Sequence, residues 1–198
     1  SMVLGQSVAD TGSASIFVNG NFSVNGSIFE AYKNAVGPIS FNITGTSTIS
    51  GNPALVTLKD RFDGDVTFNS GSLTIDNSRN VYFMGSYGTL GIAQVTINGD
   101  MTLLGATTRC YIAYCDTNYN DTYLTVTNDL NITDAQLYVS TTAGGLNMQV
   151  GRNFTQNGAT SIFYGQRHSE AFGNVNIGIN GSLSVNAGSF YQSRGYGS

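Results

Sequence analysis

The chain has 198 residues, a formal net charge of −4 and only 10% charged residues, against roughly 25% in an average soluble protein. Its eight lysines and arginines are scattered singly, which argues against nucleic-acid binding. No apolar run approaches the roughly 20 residues that a transmembrane helix needs, so we expect no membrane insertion.

A loose repeat extends along most of the chain. It is clearest in residues 16–26 (IFVNGNFSVNG), 95–105 (VTINGDMTLLG) and 177–187 (IGINGSLSVNA). Apolar residues stand two and four positions before and after a central residue, and polar residues stand between them. This period of two predicts short β-strands with one buried face. Seven copies are recognised, with central residues Gly20, Gly45, Gly64, Gly99, Asn128, Arg152 and Gly181.

Each copy contains, in chain order, a first strand, a bend, a second strand, a turn and a third strand. In the first copy the bend is at Gly20 and Asn21, and the turn is at Gly26. Glycine accepts a positive φ, and a small polar side chain after it can bond to nearby backbone, so both positions have the chemistry of turns. The third strand is indicated by apolar residues at Ile28 and Phe29, Leu73 and Ile75, Leu137 and Val139, and Ile162 and Phe163.

Three short strands in each repeat predict an all-β fold, namely a single-stranded parallel β-helix of about seven coils. One coil cannot bury its own apolar face, so the coils must stack on one another. An antiparallel sandwich or jelly roll also alternates, but it has no reason to repeat its turn residues in register. We expect residues 1–198 to form one β-helix domain that is part of a larger protein.

The coil pattern V-x-G-[ND]-[FLM]-x-[VIL]-x-x-G resembles the repeats of bacterial surface adhesins of the filamentous-haemagglutinin and autotransporter-passenger types. The resemblance covers most of residues 16–191. It implies a right-handed β-helix and an extracellular or cell-surface location. The regular stack and the missing catalytic constellations favour a structural or adhesive role without enzymatic activity, in which loops contact a glycan or a host-surface receptor. No segment resembles an amphipathic capping helix, so we expect both ends of the stack to meet flanking domains of a larger protein. Polysaccharide lyases and hydrolases and phage tail-spikes or fibres share the architecture, so they are the alternative functions.

An acidic segment, KDRFDGD at residues 59–65, is the first candidate site. The carboxylates of Asp60, Asp63 and Asp65 could together bind calcium, and apart from calcium the sequence predicts no cofactor. A polysaccharide hydrolase or lyase would also need carboxylates, paired across a sugar or combined with calcium and a base. Asp63 and Asp65 flank Gly64, however, where the other copies also carry turn residues. Capping of a turn is therefore the favoured interpretation.

A tyrosine-rich segment, RCYIAYCDTNYNDTY at residues 109–123, is the second candidate site because it interrupts the repeat. Aromatic rings beside Asn and Asp suit sugar binding, since a ring face covers the apolar side of a pyranose. Packing over the core or against a neighbouring domain is the alternative. The segment also contains Cys110 and Cys115, which can bond to each other only if the chain folds back between them. The candidate ligand-binding residues are Tyr111, Tyr114, Tyr119 and Tyr123.

Overall fold

The structure is a computed structural model, and it describes residues 12–33, 37–52, 54–60, 64–85, 91–114, 120–168 and 173–194. All regular secondary structure in these ranges is β-strand. No helix that could cross a membrane occurs in them. The strands are β1 (Ala14–Val18), β2 (Phe22–Asn25), β3 (Ile28–Lys33), β4 (Ile39–Ser50), β5 (Leu55–Asp60), β6 (Val66–Asp76), β7 (Asn80–Gly85), β8 (Ala93–Ile97), β9 (Met101–Leu104), β10 (Arg109–Tyr114), β11 (Thr122–Val126), β12 (Leu130–Thr133), β13 (Gln136–Ser140), β14 (Leu146–Val150), β15 (Phe154–Asn157), β16 (Ile162–Arg167), β17 (Val175–Ile179), β18 (Leu183–Val185) and β19 (Ser189–Arg194).

These strands form a parallel β-solenoid with three faces, as the sequence predicted. The first face contains β1, the first halves of β4 and β6, and β8, β11, β14 and β17. The second face contains β2, the second halves of β4 and β6, and β9, β12, β15 and β18. The third face is the seven-stranded sheet of β3, β5, β7, β10, β13, β16 and β19. Successive strands pair in parallel from coil to coil, and the chain makes about six turns.

The core lies inside the solenoid and consists of ladders, in which equivalent residues of successive coils stack on one another. The inner members of these ladders are almost fully buried, whereas members in the first and last coils are only partly buried. Burial of each such side chain contributes about 1.5–3 kcal/mol. One ladder of the first face contains Ile16, Phe41, Phe68, Val95, Leu124, Met148 and Ile177.

The first corner, between the first and second faces, is held by polar side chains that bond to the next coil. The Asn21 Oδ1 atom accepts a hydrogen bond from the Thr46 backbone N–H at 2.9 Å. Asp129 Oδ1 accepts a hydrogen bond from the Asn153 backbone N–H at 2.9 Å. Asn153 Oδ1 in turn accepts one from the Ser182 backbone N–H at 3.0 Å. At these positions the small polar residue after the central residue therefore links two coils, where the sequence suggested only a local contact.

One of the seven predicted centres, Gly64, is wrong. Ser70 pairs with Ile43 and Ile97, and Leu73 pairs with Ser47 and Met101, so the equivalent centre in the third coil is Gly71. The error arises because the third coil is one residue shorter at the first corner. Thr67 and Asn69 therefore stand four and two positions before Gly71, where the pattern requires apolar residues, whereas Phe62, Val66 and Phe68 fit the pattern around Gly64. Leu73 consequently lies in the second face, together with Ile75, and the third-face strand of this coil is β7.

Candidate binding surface on the third face

Five tyrosines stack on the outside of the third face, and we call them the tyrosine ladder. They occupy equivalent positions on β7, β10, β13, β16 and β19. Successive ring centroids are 4.7, 4.7, 5.1 and 4.8 Å apart, and successive ring planes differ by at most 18°. The spacing between parallel strands, about 4.8 Å, is also a favourable distance for stacked rings. The members are Tyr82, Tyr111, Tyr138, Tyr164 and Tyr191.

Stacking leaves the ladder with ring edges and hydroxyl groups, rather than ring faces, for contact with a ligand. The exposed fractions of Tyr138 and Tyr164 are only 6% and 7%, because each ring is covered on both sides by its neighbours. The Tyr138 hydroxyl donates to Gln136 Oε1 at 2.8 Å. The inner rings therefore cannot cover a pyranose, but their polar edges can exchange hydrogen bonds with sugar hydroxyls.

Tyr114 lies beside the ladder and is 39% exposed. Its ring centroid is 5.0 Å from that of Tyr111 and 5.6 Å from that of Tyr82, and its plane is inclined to both by more than 50°. Unlike the inner ladder rings, it is not enclosed in a parallel stack. Tyr114 is consequently the tyrosine of this surface that is best placed to offer part of a ring face to a sugar.

Of the three described tyrosines that were predicted to bind a ligand, the structure brings two together. Tyr111 belongs to the ladder and Tyr114 contacts it. Tyr123 instead lies on the first face, where it pairs with Gln94 and Asn147. The fourth predicted residue, Tyr119, is outside the described residues.

The remaining ladder tyrosines were missed by sequence reasoning, although a signal for them exists. The five ladder positions are separated by 29, 27, 26 and 27 residues, which is the period of the coils. A search for one residue type recurring at that period would have found Tyr82, Tyr138, Tyr164 and Tyr191 together with Tyr111. The prediction was instead based on the segment that interrupts the repeat, residues 109–123, and therefore named tyrosines that are close together in the sequence.

Arginines accompany the tyrosines on this face. The Arg167 guanidinium lies 5.3 Å from the ring centroid of Tyr164, and that of Arg194 lies 4.9 Å from Tyr191. Such cation–π contacts contribute about 0.5–1 kcal/mol at exposed sites. Arg194 Nη1 also donates to the Tyr164 hydroxyl at 3.2 Å. Because β7, β10, β13, β16 and β19 contain no Asp or Glu, the part of the third face that carries the tyrosine ladder is cationic and aromatic on a chain whose net charge is −4.

Burial affects the chemistry of two adjacent residues on β10. Desolvation raises the pKa of the Tyr111 hydroxyl above its usual value; Tyr138 and Tyr82 act in the same direction, and Arg109 opposes them. Tyr111 therefore remains a neutral hydrogen-bond donor at physiological pH. Cys110 points into the core as a free thiol, and burial raises its pKa. The low thiolate fraction makes this cysteine unreactive.

Asp65 of the acidic segment and several corner carboxylates accept hydrogen bonds from backbone N–H groups of the next coil. Asp65 Oδ1 accepts from Ile92 N at 2.8 Å, and Asp121 Oδ1 accepts from Gly145 N at 2.7 Å in the corresponding corner. Asp63 and the side chain of Asp60 are outside the described residues, so calcium binding by this segment stays a prediction. Within the described ranges, no group of three or more His, Cys, Asp or Glu could hold a metal ion.

Comparisons with known proteins returned nothing: no protein-family model, no curated protein and no solved structure matches the chain.

Proposed function

We propose that the chain is a non-enzymatic structural and adhesive segment of a secreted or cell-surface bacterial protein, and that its third face contacts glycans. The observation that supports this function best is the tyrosine ladder with Tyr114 beside it. A regular aromatic surface along one side of a rigid solenoid suits repeated contact with a polymer. The resemblance of the coil pattern to surface adhesins agrees with the same role.

The use of the carboxylates supports a structural role. Asp65, Asp121 and Asp129 each accept a backbone N–H from the following coil. A hydrogen bond to a charged group contributes about 1.5–3 kcal/mol, so these residues stabilise the stack. Carboxylates engaged in this way are poorly suited to proton transfer, because a general acid or base must be able to reach the substrate.

The spacing of the third face also fits a glycan. Equivalent groups recur along the solenoid axis every 4.7–5.1 Å, which is close to the length of one hexopyranose unit. A polysaccharide lying along the axis would therefore meet one tyrosine hydroxyl with each sugar. Individually weak contacts then add up over several sugars.

The proposal is tested by measuring binding of the chain to an array of neutral and acidic polysaccharides, together with release of reducing or unsaturated ends. We expect binding without cleavage. Tyr114→Ala should weaken binding about three- to tenfold, because it removes an aromatic contact. The matched control is Tyr123→Ala, which removes a tyrosine from the first face and should leave binding unchanged.

Two outcomes would contradict the proposal. Cleavage of any polysaccharide by the purified chain would assign it to the lyases, hydrolases or tail-spikes. Equal loss of binding in Tyr114→Ala and Tyr123→Ala, with both variants folded by circular dichroism, would show that the third face is not the contact surface.

A further inference from the structure

A depression of about 420 Å³ lies at the second corner of the solenoid, between the second and third faces. It spans three successive coils, because Asn52 precedes β5, Arg79 precedes β7 and Arg109 begins β10. All of its lining residues are exposed. They are Asn52, Arg79, Ala106, Thr107 and Arg109.

Two arginines give this depression its charge. Val81 pairs with Cys110 between β7 and β10, which places Asn80 opposite Arg109 and puts Arg79, one residue earlier, on the preceding coil. Both arginines line the same depression, and like charges that lie close together repel one another. Neither guanidinium forms an ion pair with any residue that the structure describes, and the lining contains no carboxylate. An anion held between the two arginines would relieve the repulsion.

The neutral groups of the depression suit a sugar. The Asn52 amide can donate and accept hydrogen bonds, and so can the Thr107 hydroxyl. Arg109 stands two residues before Tyr111 on β10, so both side chains are on the outer side of the strand. The depression therefore lies beside the tyrosine ladder.

We propose that Arg79 and Arg109, with Asn52 and Thr107, bind the anionic group of an acidic glycan. The planar guanidinium forms paired hydrogen bonds with carboxylate and sulfate oxygens, and both groups occur on acidic sugars. This inference rests on the proposed glycan-binding function and narrows its ligand class. The sugar ring then extends from the depression toward Tyr111 and Tyr114.

The same surface suits a glycan better than a nucleic acid, which is also a polyanion. Single-stranded nucleic acid is bound through bases that stack on free aromatic faces. In the tyrosine ladder those faces are occupied by neighbouring rings, at centroid distances of 4.7–5.1 Å.

The test uses the complete 198-residue chain and four probes of similar length: an oligogalacturonate, a sulfated dextran oligosaccharide, a neutral dextran oligosaccharide and a single-stranded oligonucleotide. Isothermal calorimetry should show that at least one acidic sugar binds about tenfold more tightly than the neutral one. The difference should shrink as salt is raised, because screening weakens exposed charge pairs. Comparison of the two acidic sugars shows whether carboxylate or sulfate is preferred.

Variants locate the site. Arg79→Gln and Arg109→Gln should each weaken binding of the acidic sugar about tenfold and leave binding of the neutral sugar unchanged. The matched control is Arg152→Gln, which removes an exposed arginine from the first corner and should have no effect. Thermal unfolding of each variant verifies that the fold is retained.

The failing outcomes are distinguishable. If neutral and acidic sugars bind equally and both arginine variants behave like the parent, the acidic-glycan site is wrong while the glycan-binding function stands. If no sugar binds, both proposals are wrong. If the oligonucleotide binds as tightly as the acidic sugar, the depression is a general polyanion site and the inference is overturned.

Discussion

At the residue scale, the second corner shows how a side chain in one coil limits which amino acid can occupy the equivalent position of the following coil. The backbone there has positive φ in successive coils, at Gly51, Asn77, Gly105, Asp134 and Gly158. Asn and Asp are the non-glycine residues that tolerate this conformation best. The Asn77 side chain occupies the space in which Gly105 would carry a Cβ, and Asp134 does the same to Gly158. A side chain at this corner thus requires glycine in the following coil.

This restriction predicts different costs for two glycine substitutions. Gly26→Ala should lower the free energy of unfolding by about 1–2 kcal/mol, because φ is +57° but nothing lies within 4 Å of the new Cβ. Gly105→Ala should cost about 2–4 kcal/mol, because its Cβ also overlaps Asn77 Oδ1. Urea unfolding measures both values.

The double variant Asn77→Gly/Gly105→Ala provides the control. Removing the Asn77 side chain should restore about 1 kcal/mol or more of the loss in Gly105→Ala, through the coupling that a double-mutant cycle measures. Equal losses for Gly26→Ala and Gly105→Ala, or additive effects in the double variant, would show that the overlap is relieved by movement of the chain.

The corner residues could be predicted from sequence only in part. Glycine and small polar residues after each predicted centre indicated turns, and turns are present. Their partners could not be predicted, because Thr46 is 25 residues from Asn21 and Asn153 is 24 residues from Asp129. The residues that form a turn do not indicate which backbone N–H group of the next coil lacks a partner within its sheet.

At the element scale, Tyr111 of the tyrosine ladder makes the stability of the fold depend on pH. The pKa of Tyr111 is raised chiefly by burial, so the native chain holds this proton more tightly than the unfolded chain, in which tyrosine has a pKa of about 10. The stabilisation is complete below about pH 10 and is lost as the pH rises further, since the unfolded state then releases the proton first.

We therefore expect the free energy of unfolding to fall above about pH 10, with Tyr111 contributing up to about 1.4 kcal/mol per pH unit. Tyr111→Phe retains the stacked ring and removes the hydroxyl, so it should reduce this slope while changing stability little at neutral pH. Urea unfolding at a series of pH values measures the slope. An unchanged slope in Tyr111→Phe would mean that other groups account for it.

The strands themselves were predictable where a polar bend separates two apolar alternations, as in the first, fourth and last coils. They were not predictable in the third coil, which is formed by β6 from Val66 to Asp76. The register between β4 and β6 shifts between Ile43 and Thr46, which shows that the third coil is one residue shorter at the corner. Loss of one residue shifts the period-two alternation by one position, so a pattern with apolar residues at fixed offsets does not locate the centre of that copy.

At the scale of the whole molecule, burial varies with position along the stack. Leu130 and Leu183 occupy the same ladder of the second face, separated by Phe154. Leu130 is fully buried, whereas Leu183 in the last coil is 51% exposed. A comparison of the two leucines therefore measures how much more stabilisation a buried side chain contributes when coils cover it on both sides.

Leu130→Ala should lower the free energy of unfolding by about 2–5 kcal/mol, through lost burial and a residual cavity. Leu183→Ala should cost less than about half as much, because the side chain is already half in solvent. Both values come from urea unfolding of otherwise identical chains. Similar losses would indicate that the last coil is covered in solution.

The overall architecture was the most predictable property of the chain, because period-two alternation and recurring turns together leave few folds that can bury the apolar side. The binding surface was less predictable. Tyr111 and Arg79 are 32 residues apart in sequence and become neighbours in space only through the pairing of β7 with β10. Contacts of this kind between coils depend on how the coils are aligned. The predicted alignment was wrong in the third coil, because its centre was placed at Gly64 and not at Gly71.

The tyrosine ladder is confined to one part of the third face. The equivalent residues in the first two coils are Glu30 and Thr57, while the last coil ends in Arg194 beside Tyr191. The surface consequently has two chemically different ends. A linear chain of sugars is itself directional, so the two orientations in which it can lie on this surface differ in energy, and the protein would select one of them.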